Sequence, residues 1–201
     1  MTLAIDDAFL PATLSCHPMT DEEFVSFCAE HPDLNFEMTA DGQLLVMPQT
    51  FTLTGFRNQE ISLQLGSWAK RDRRGYASES STGFVLPNGA RRSPDAAWIR
   101  KDRMKALSAE SLNSFWRLCP DFVIELRSQS DRLPALRDKM NEYLANGAEL
   151  GWLIDPDART VEVYRTGQAP EILTDPVALV GEGPVQGLVL DLLPVWDPLQ
   201  S

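Results

Sequence analysis

Two short apolar runs, Pro94–Ile99 and Asp121–Arg127, constrain this chain more than anything else in it, because each carries an acid where core residues are expected. Ala, Trp, Ile, Phe and Val make these runs read as buried strands, with Asp95 near the start of the first and Glu125 near the end of the second. A carboxylate in such a place needs a cation, a metal or several hydrogen bonds to offset its desolvation. Arg127 lies two residues after Glu125, on the same face of a strand. If the two strands are neighbours, two carboxylates and a guanidinium come within reach of one another.

Composition narrows the chemistry that could use them. With only two histidines, His17 and His31, both near the N-terminus, a His-based zinc site or a Ser-His-Asp triad is excluded as the working part. Cys16, Cys28 and Cys119 are odd in number and widely spaced, so they read as reduced thiols rather than a disulfide frame or a Cys-x-x-Cys metal site. Catalysis is left to carboxylates, Lys and Arg. The N-terminus lacks the basic and apolar segments of a signal peptide, and no run approaches the roughly 20 apolar residues of a membrane span, so a cytoplasmic protein is expected. A net charge of −11 opposes nonspecific coating of nucleic acid, which relies on a Lys/Arg surface. The basic residues are nevertheless clustered, at Lys70–Arg74, Arg91–Arg92 and Arg100–Lys105, and a homodimer could pool two such patches.

Residues 1–19 read as an N-terminal extension and 20–201 as one domain, since no linker-like stretch divides them. Thr20 to Glu23 has capping-box spacing, and Phe24, Phe27 and Cys28 share a helical face up to His31. Strands follow at Leu34–Thr39 and Gln43–Met47, joined by Asp41-Gly42, a hairpin signal. Glu37 lies in the first of these and reads as a solvent-facing strand residue in preference to a metal-site residue, with Glu37 and Glu60 as the two candidates to complete a site. Ile61, Leu65 and Trp68 mark a helix over Leu53–Lys70, with Glu60 beside the apolar stripe, where a helix packed on a sheet could aim it at a metal. Strands are expected at Tyr76–Glu79 and Gly83–Pro87, then an Asn88-Gly89 turn leading into Pro94–Ile99, and a helical or irregular stretch over 101–116 with Ser108 as an N-cap. Asp131 is the expected N-cap of a helix reaching Asn146, whose stripe is Leu136, Met140, Tyr143 and Leu144, bordered by Lys139. Leu150–Asp155, Thr160–Arg165 and Gly187–Leu193 complete the strands. The order predicts an α/β sandwich with a mixed sheet flanked by helices, preceded by a helix and a β-hairpin.

A longer series of motifs then carries a resemblance. Phe36-Glu37, Asp41-Gly42, Met47-Pro48, Thr54-Gly55 with Asn58 and Glu60, Ser81–Phe84, Leu86–Ala90, Arg92–Asp95, Pro120–Ser128, Lys139 with Glu142-Tyr143, Asn146–Ala148 and Gly151–Pro156 run from about residue 20 to 196. In that order they resemble the Uma-two-type family of restriction endonuclease-like proteins, assigned to the PD-(D/E)XK nuclease superfamily. The resemblance implies a restriction-endonuclease-like fold and hydrolysis of phosphodiester bonds in DNA, with Mg²⁺ or Mn²⁺ as cofactor. On this reading Asp95, Glu125, the Ile124 carbonyl and Glu60 hold metal. Arg127 stands where the superfamily pattern has Lys, and Lys139 matches a lysine of the family's following helix. Arg127 is too basic to act as a base and would stabilise charge on the phosphate, while Lys139 would orient or deprotonate water. The competing expectation is a catalytically idle nuclease fold that serves as a binding or dimerisation module.

Overall fold

The computed structural model describes residues 10–17, 19–105 and 114–200. In chain order the elements are β1 (Ala12–Ser15), α1 (Asp21–Glu30), β2 (Asn35–Met38), β3 (Gln43–Met47), α2 (Thr52–Asp72), β4 (Gly75–Glu79), β5 (Phe84–Val85), β6 (Arg91–Arg92), β7 (Ala96–Arg100) and α3 (Lys101–Lys105). They continue with β8 (Phe122–Leu126), α4 (Leu133–Ala145), β9 (Leu150–Asp155), β10 (Thr160–Arg165), β11 (Glu171–Thr174), β12 (Ala178–Val180), β13 (Val189–Asp191) and α5 (Leu193–Trp196), with a 3₁₀ turn at Gly183–Val185.

The central sheet has the order β11-β10-β9-β8-β7-β4, in which only the β8–β9 pair is parallel. A parallel neighbour needs a crossover, and α4 supplies it. Both faces of this sheet are covered, which is why β8 reads Phe-Val-Ile-Glu-Leu with every residue buried. On one face Ile61, Leu65 and Trp68 of α2 pack on Ala96, Trp98, Phe122, Ile124 and Trp152, closed by Leu190, Val195 and Trp196 of the C-terminal segment. On the other, Leu136, Met140 and Tyr143 of α4 pack on Ala97, Ile99, Val123 and Leu153. The fit of α4 depends on Gly151, where a Cβ would come within 2.4 Å of the Met140 methyl. The mixed sheet between helices agrees with the expected fold class.

A second, antiparallel sheet, β1-β3-β2-β6-β5, carries α1 on a core of Phe24, Phe27, Phe36, Met38, Leu44 and Val46. The Thr20 capping box forms as predicted: the Thr20 hydroxyl accepts the Glu23 N–H, and the Glu23 carboxylate accepts the Thr20 N–H. β1 lies within the stretch read as an extension and pairs along its length with β3.

Two local expectations change. The Asn88-Gly89 turn does form, with Gly89 at φ +90, but it joins β5 to β6 in the second sheet. Ser93-Pro94 then carries the chain across to β7, so the hairpin does not lead straight into the acid-bearing strand. Asp131 does not cap α4. Its carboxylate is taken by the Ser128 N–H and hydroxyl, and Arg132 occupies the cap position without a side-chain bond. Ser108 lies outside the described residues.

Candidate active site

The register of β7 and β8 pairs Ala96 with Ile124, so one step further along the ladder Asp95 stands opposite Glu125. Side chains directly opposite on an antiparallel pair share a face. The Asp95 carboxylate accepts the Leu126 N–H at 2.8 Å and the Asn58 amide of α2 at 2.9 Å. Glu125 receives the Tyr143 hydroxyl and the Lys139 ammonium, each at 2.9 Å. Lys139 and Tyr143 are four residues apart on α4, one above the other on the face turned to the sheet.

The second sheet closes this group from the side. Glu37 of β2 is 2% exposed and binds Lys139 at 2.8 Å, Arg92 at 3.1 Å and the Ser93 N–H at 2.9 Å. Arg92 is held again by Glu142 of α4 at 2.6 Å. Glu37 is therefore not a solvent-facing residue. Strand alternation hid this, because both faces of β2 are covered where it meets β6 and α4.

Crowded acids in a dry place resist ionisation. Burial pushes Glu125 up to about 8, and Asp95 and Glu37 nearby push the same way against the opposing pull of Lys139. Burial also raises Asp95, against the Leu126 N–H, Lys139 and Asn58. For Glu37, burial is outweighed by Lys139 and Arg92, and its net direction is downward. Lys139 is held well above its ordinary value: burial opposes its charge, but Glu125 and Glu37 outweigh it. Tyr143 is raised too, by burial and then by Glu125, so it remains a hydroxyl donor.

Four carboxylates, Glu37, Asp95, Glu125 and Glu142, thus share two cations, Lys139 and Arg92. With all four ionised, the shortfall of positive charge falls at Asp95 and Glu125, and one divalent ion that displaces the Glu125 proton matches it in size. A buried oxygen, Asn58 Oδ1, also lacks a partner beside Asp95. Among the described residues no three Asp, Glu, His or Cys side chains are grouped to enclose a metal. The donor set fits a hard ion of the Mg²⁺ type, which commonly takes one or two carboxylates and keeps several waters.

Of the other expected residues, Glu60 and Arg127 lie apart, whereas Ile124 directly precedes Glu125 in β8. Ile124 is fully buried in mid-strand between Ala96 and Trp152. Glu60 accepts a bond from Gln64 at 2.9 Å, and Gln64 in turn clamps the backbone of Asp191. Arg127 pairs with Asp155 at 2.6 Å. Neither Glu60 nor Arg127 lines the cleft of about 1010 Å³ that opens over Asp95, Glu125 and Lys139. Asn58 and Tyr143 were not singled out as site residues by sequence, and Glu37 was read there as solvent-facing in preference to a place at the metal. Asn58 had a readable signal, being a polar residue on the same helical stripe as Ile61, Leu65 and Trp68.

A family model described as "Putative restriction endonuclease" (Uma2) matches residues 21–193. The chain belongs to the Uma2 family. A crystal structure from Anabaena variabilis ATCC 29413, described as a putative nuclease belonging to DUF820, is similar over 89% of this chain and 98% of that one, with a TM-score of 0.72 and 24% sequence identity. That likeness concerns the fold, a mixed sheet flanked by helices. No curated protein matches the chain.

Charge around the cleft is less favourable to a polyanion. Seven carboxylates line it against three cations, Arg92, Arg132 and Lys139. Arg91 and Arg92 are buried in ion pairs with Asp21, Glu37 and Glu142. The clusters at Lys70–Arg74 and Arg100–Lys105 meet where Gly75 pairs with Arg100. That is the opposite end of β7 from Asp95, about 16 Å away at strand spacing.

Proposed function

We propose that this Uma2 protein hydrolyses phosphodiester bonds in DNA with the help of Mg²⁺ or Mn²⁺, held by Asp95, Glu125 and the Ile124 carbonyl. The observation that carries the reading is the pairing of two buried carboxylates opposite one another, short of positive charge, with Lys139 bonded to one of them at 2.9 Å. When bound, such an ion supplies Lewis acidity toward the phosphate and lowers the pKa of a water. Hydrolysis forms a P–O bond from water and breaks the P–O bond to one sugar oxygen, which takes up a proton. Lys139 stays charged between Glu37 and Glu125, so its part is to donate a hydrogen bond to water or a phosphate oxygen rather than to accept a proton. Asn58 and the Leu126 N–H orient Asp95, and Tyr143 orients Glu125. The chain works in the cytoplasm, which suits its free Cys16, Cys28 and Cys119; burial raises the Cys28 thiol to about 11, making it a poor nucleophile at neutral pH.

The test is incubation with plasmid, linear duplex and single-stranded DNA in Mg²⁺ or Mn²⁺, with a chelator control. Cleavage that needs the ion and disappears in Asp95→Ala and Glu125→Ala is the expected result. The acid-lined cleft favours a second reading, a nuclease fold retained for binding. Intact DNA in every form, with no metal-induced rise in melting temperature, would decide for it.

A further inference from the structure

We propose that Glu37 is a positioning residue that fixes Lys139 against Glu125 and anchors the segment leading into Asp95. The proposal rests on the hydrolytic reading above and adds to it a residue from a different sheet. Glu37 comes from β2 in the N-terminal sheet, whereas Asp95 and Glu125 belong to the central sheet. Its Oε1 accepts both the Lys139 ammonium at 2.8 Å and the Ser93 N–H at 2.9 Å, and its Oε2 accepts Arg92 at 3.1 Å. With three donors on two buried oxygens, Glu37 is already neutralised and is poorly placed to serve as a cation ligand.

The geometry on the lysine side is equally restrictive. An ammonium has three N–H groups. Two of them point at Glu37 and Glu125, each within 2.9 Å, so the direction of the third is set. Lys139 is buried between those acids, and rotating it away would leave one of them without its cation. The Ser93 and Arg92 contacts hold the strand crossover two residues before Asp95, so one carboxylate registers α4, β6 and the start of β7 against one another. Arg92 extends the brace to Glu142, one turn beyond Lys139 on α4.

The near-isosteric Glu37→Gln is compared with Lys139→Met and with the double variant. Two readouts are used on the full chain: kcat and KM for a cleavable oligonucleotide in Mg²⁺, and Mn²⁺ affinity by electron paramagnetic resonance. In Glu37→Gln we expect kcat to fall about 10–100-fold, as for other residues that orient a metal site's working groups, with KM and Mn²⁺ affinity little changed. The double variant should be no slower than Lys139→Met alone, because the two residues act as one unit. An activity-independent readout is the ¹H–¹⁵N signal of the Lys139 ammonium, assigned by its loss in Lys139→Met. It should be sharp in the wild type and broadened by solvent exchange in Glu37→Gln. An unchanged ammonium signal, additive losses in the double variant, or a tenfold or greater loss of Mn²⁺ affinity in Glu37→Gln would each overturn the proposal. If the wild type cleaves no DNA, the hydrolytic reading fails separately, and the ammonium signal alone decides whether Glu37 holds Lys139.

Discussion

Asp121 and Glu125 stand at the two ends of the same buried strand, and both are almost fully enclosed. Asp121 accepts the Arg100 N–H at 2.9 Å and the Arg103 guanidinium at 3.0 Å, with a second Arg100 nitrogen 3.8 Å away. Glu125 has a hydroxyl and half of one ammonium, and it faces Asp95 and Glu37. Asp121 is thus a closed structural junction that ties β8 to the end of β7 and the start of α3. Glu125 sits in a group with more acids than cations. Pro-Asp precedes the strand in both places, at Pro94-Asp95 and at Pro120-Asp121, so the dipeptide alone does not separate them. What separates them is the count of cations each acid meets once folded.

The sharpest way to break this contrast is to remove one acid at each end. Asp95→Ala or Glu125→Ala should cost several kcal/mol of transition-state stabilisation, about 10³-fold or more in cleavage rate, and should abolish the rise in melting temperature on adding Mn²⁺. Asp121→Ala should leave the Mn²⁺-induced rise in place while lowering stability by about 3 kcal/mol, since it strands buried donors. Denaturant titrations with and without metal read both quantities. A Glu125 variant that loses stability yet keeps its metal response would make the two ends equivalent.

Titration sharpens the contrast next. The folded pKa of Glu125 is pushed up to about 8 from an ordinary 4.5, chiefly by burial. Folding therefore favours its protonated form. That contribution to stability is fully present below about pH 4.5 and is lost as the pH rises through about 8. The metal-free wild type should melt at lower temperature at pH 9 than at pH 6, roughly within the window the shift defines. Glu125→Gln, a neutral mimic of the protonated acid, should flatten that slope. A slope that survives Glu125→Gln would move the effect to another group.

Much of this arrangement was legible in the sequence, for physical reasons that can be named. Apolar runs bounded by turn residues gave β7, β8 and β9, and the stripes Ile61-Leu65-Trp68 and Leu136-Met140-Tyr143 gave the two helices that cover the sheet. Asp95, Glu125 and Lys139 meet because a strand register and a helical face could both be read locally. The burial of Glu37 was not legible, and the residue read as solvent-facing, because that burial comes from a different sheet docking against α4, a tertiary fact with no local period. Arg127 shares the strand parity of Glu125, but it lies one step past the end of β8, where Asp155 at the end of β9 claims it. The basic clusters looked like a phosphate-binding surface in one dimension. In three, Arg91 and Arg92 are consumed internally and the others gather at the far end of β7.

The smallest effect is expected at Glu60, and it bears on the same contrast between acids that have partners and acids that lack cations. Glu60 is half-buried on α2, two residues beyond Asn58, a separation that turns a helical side chain well away from the face its neighbour presents. Its bond goes to Gln64, whose amide both donates to the Asp191 carbonyl and accepts the Asp191 N–H, so Glu60 steadies a clamp between α2 and β13. A neutral amide can accept the same bond from Gln64. Glu60→Gln should therefore change stability by less than about 0.5 kcal/mol and leave both the Mn²⁺-induced rise in melting temperature and the cleavage rate as they are. A Mn²⁺ response weakened in Glu60→Gln would mean that α2 turns when the ion binds, bringing a third carboxylate to Asp95 and Glu125, and the division between the two kinds of acid would have to be redrawn around that motion.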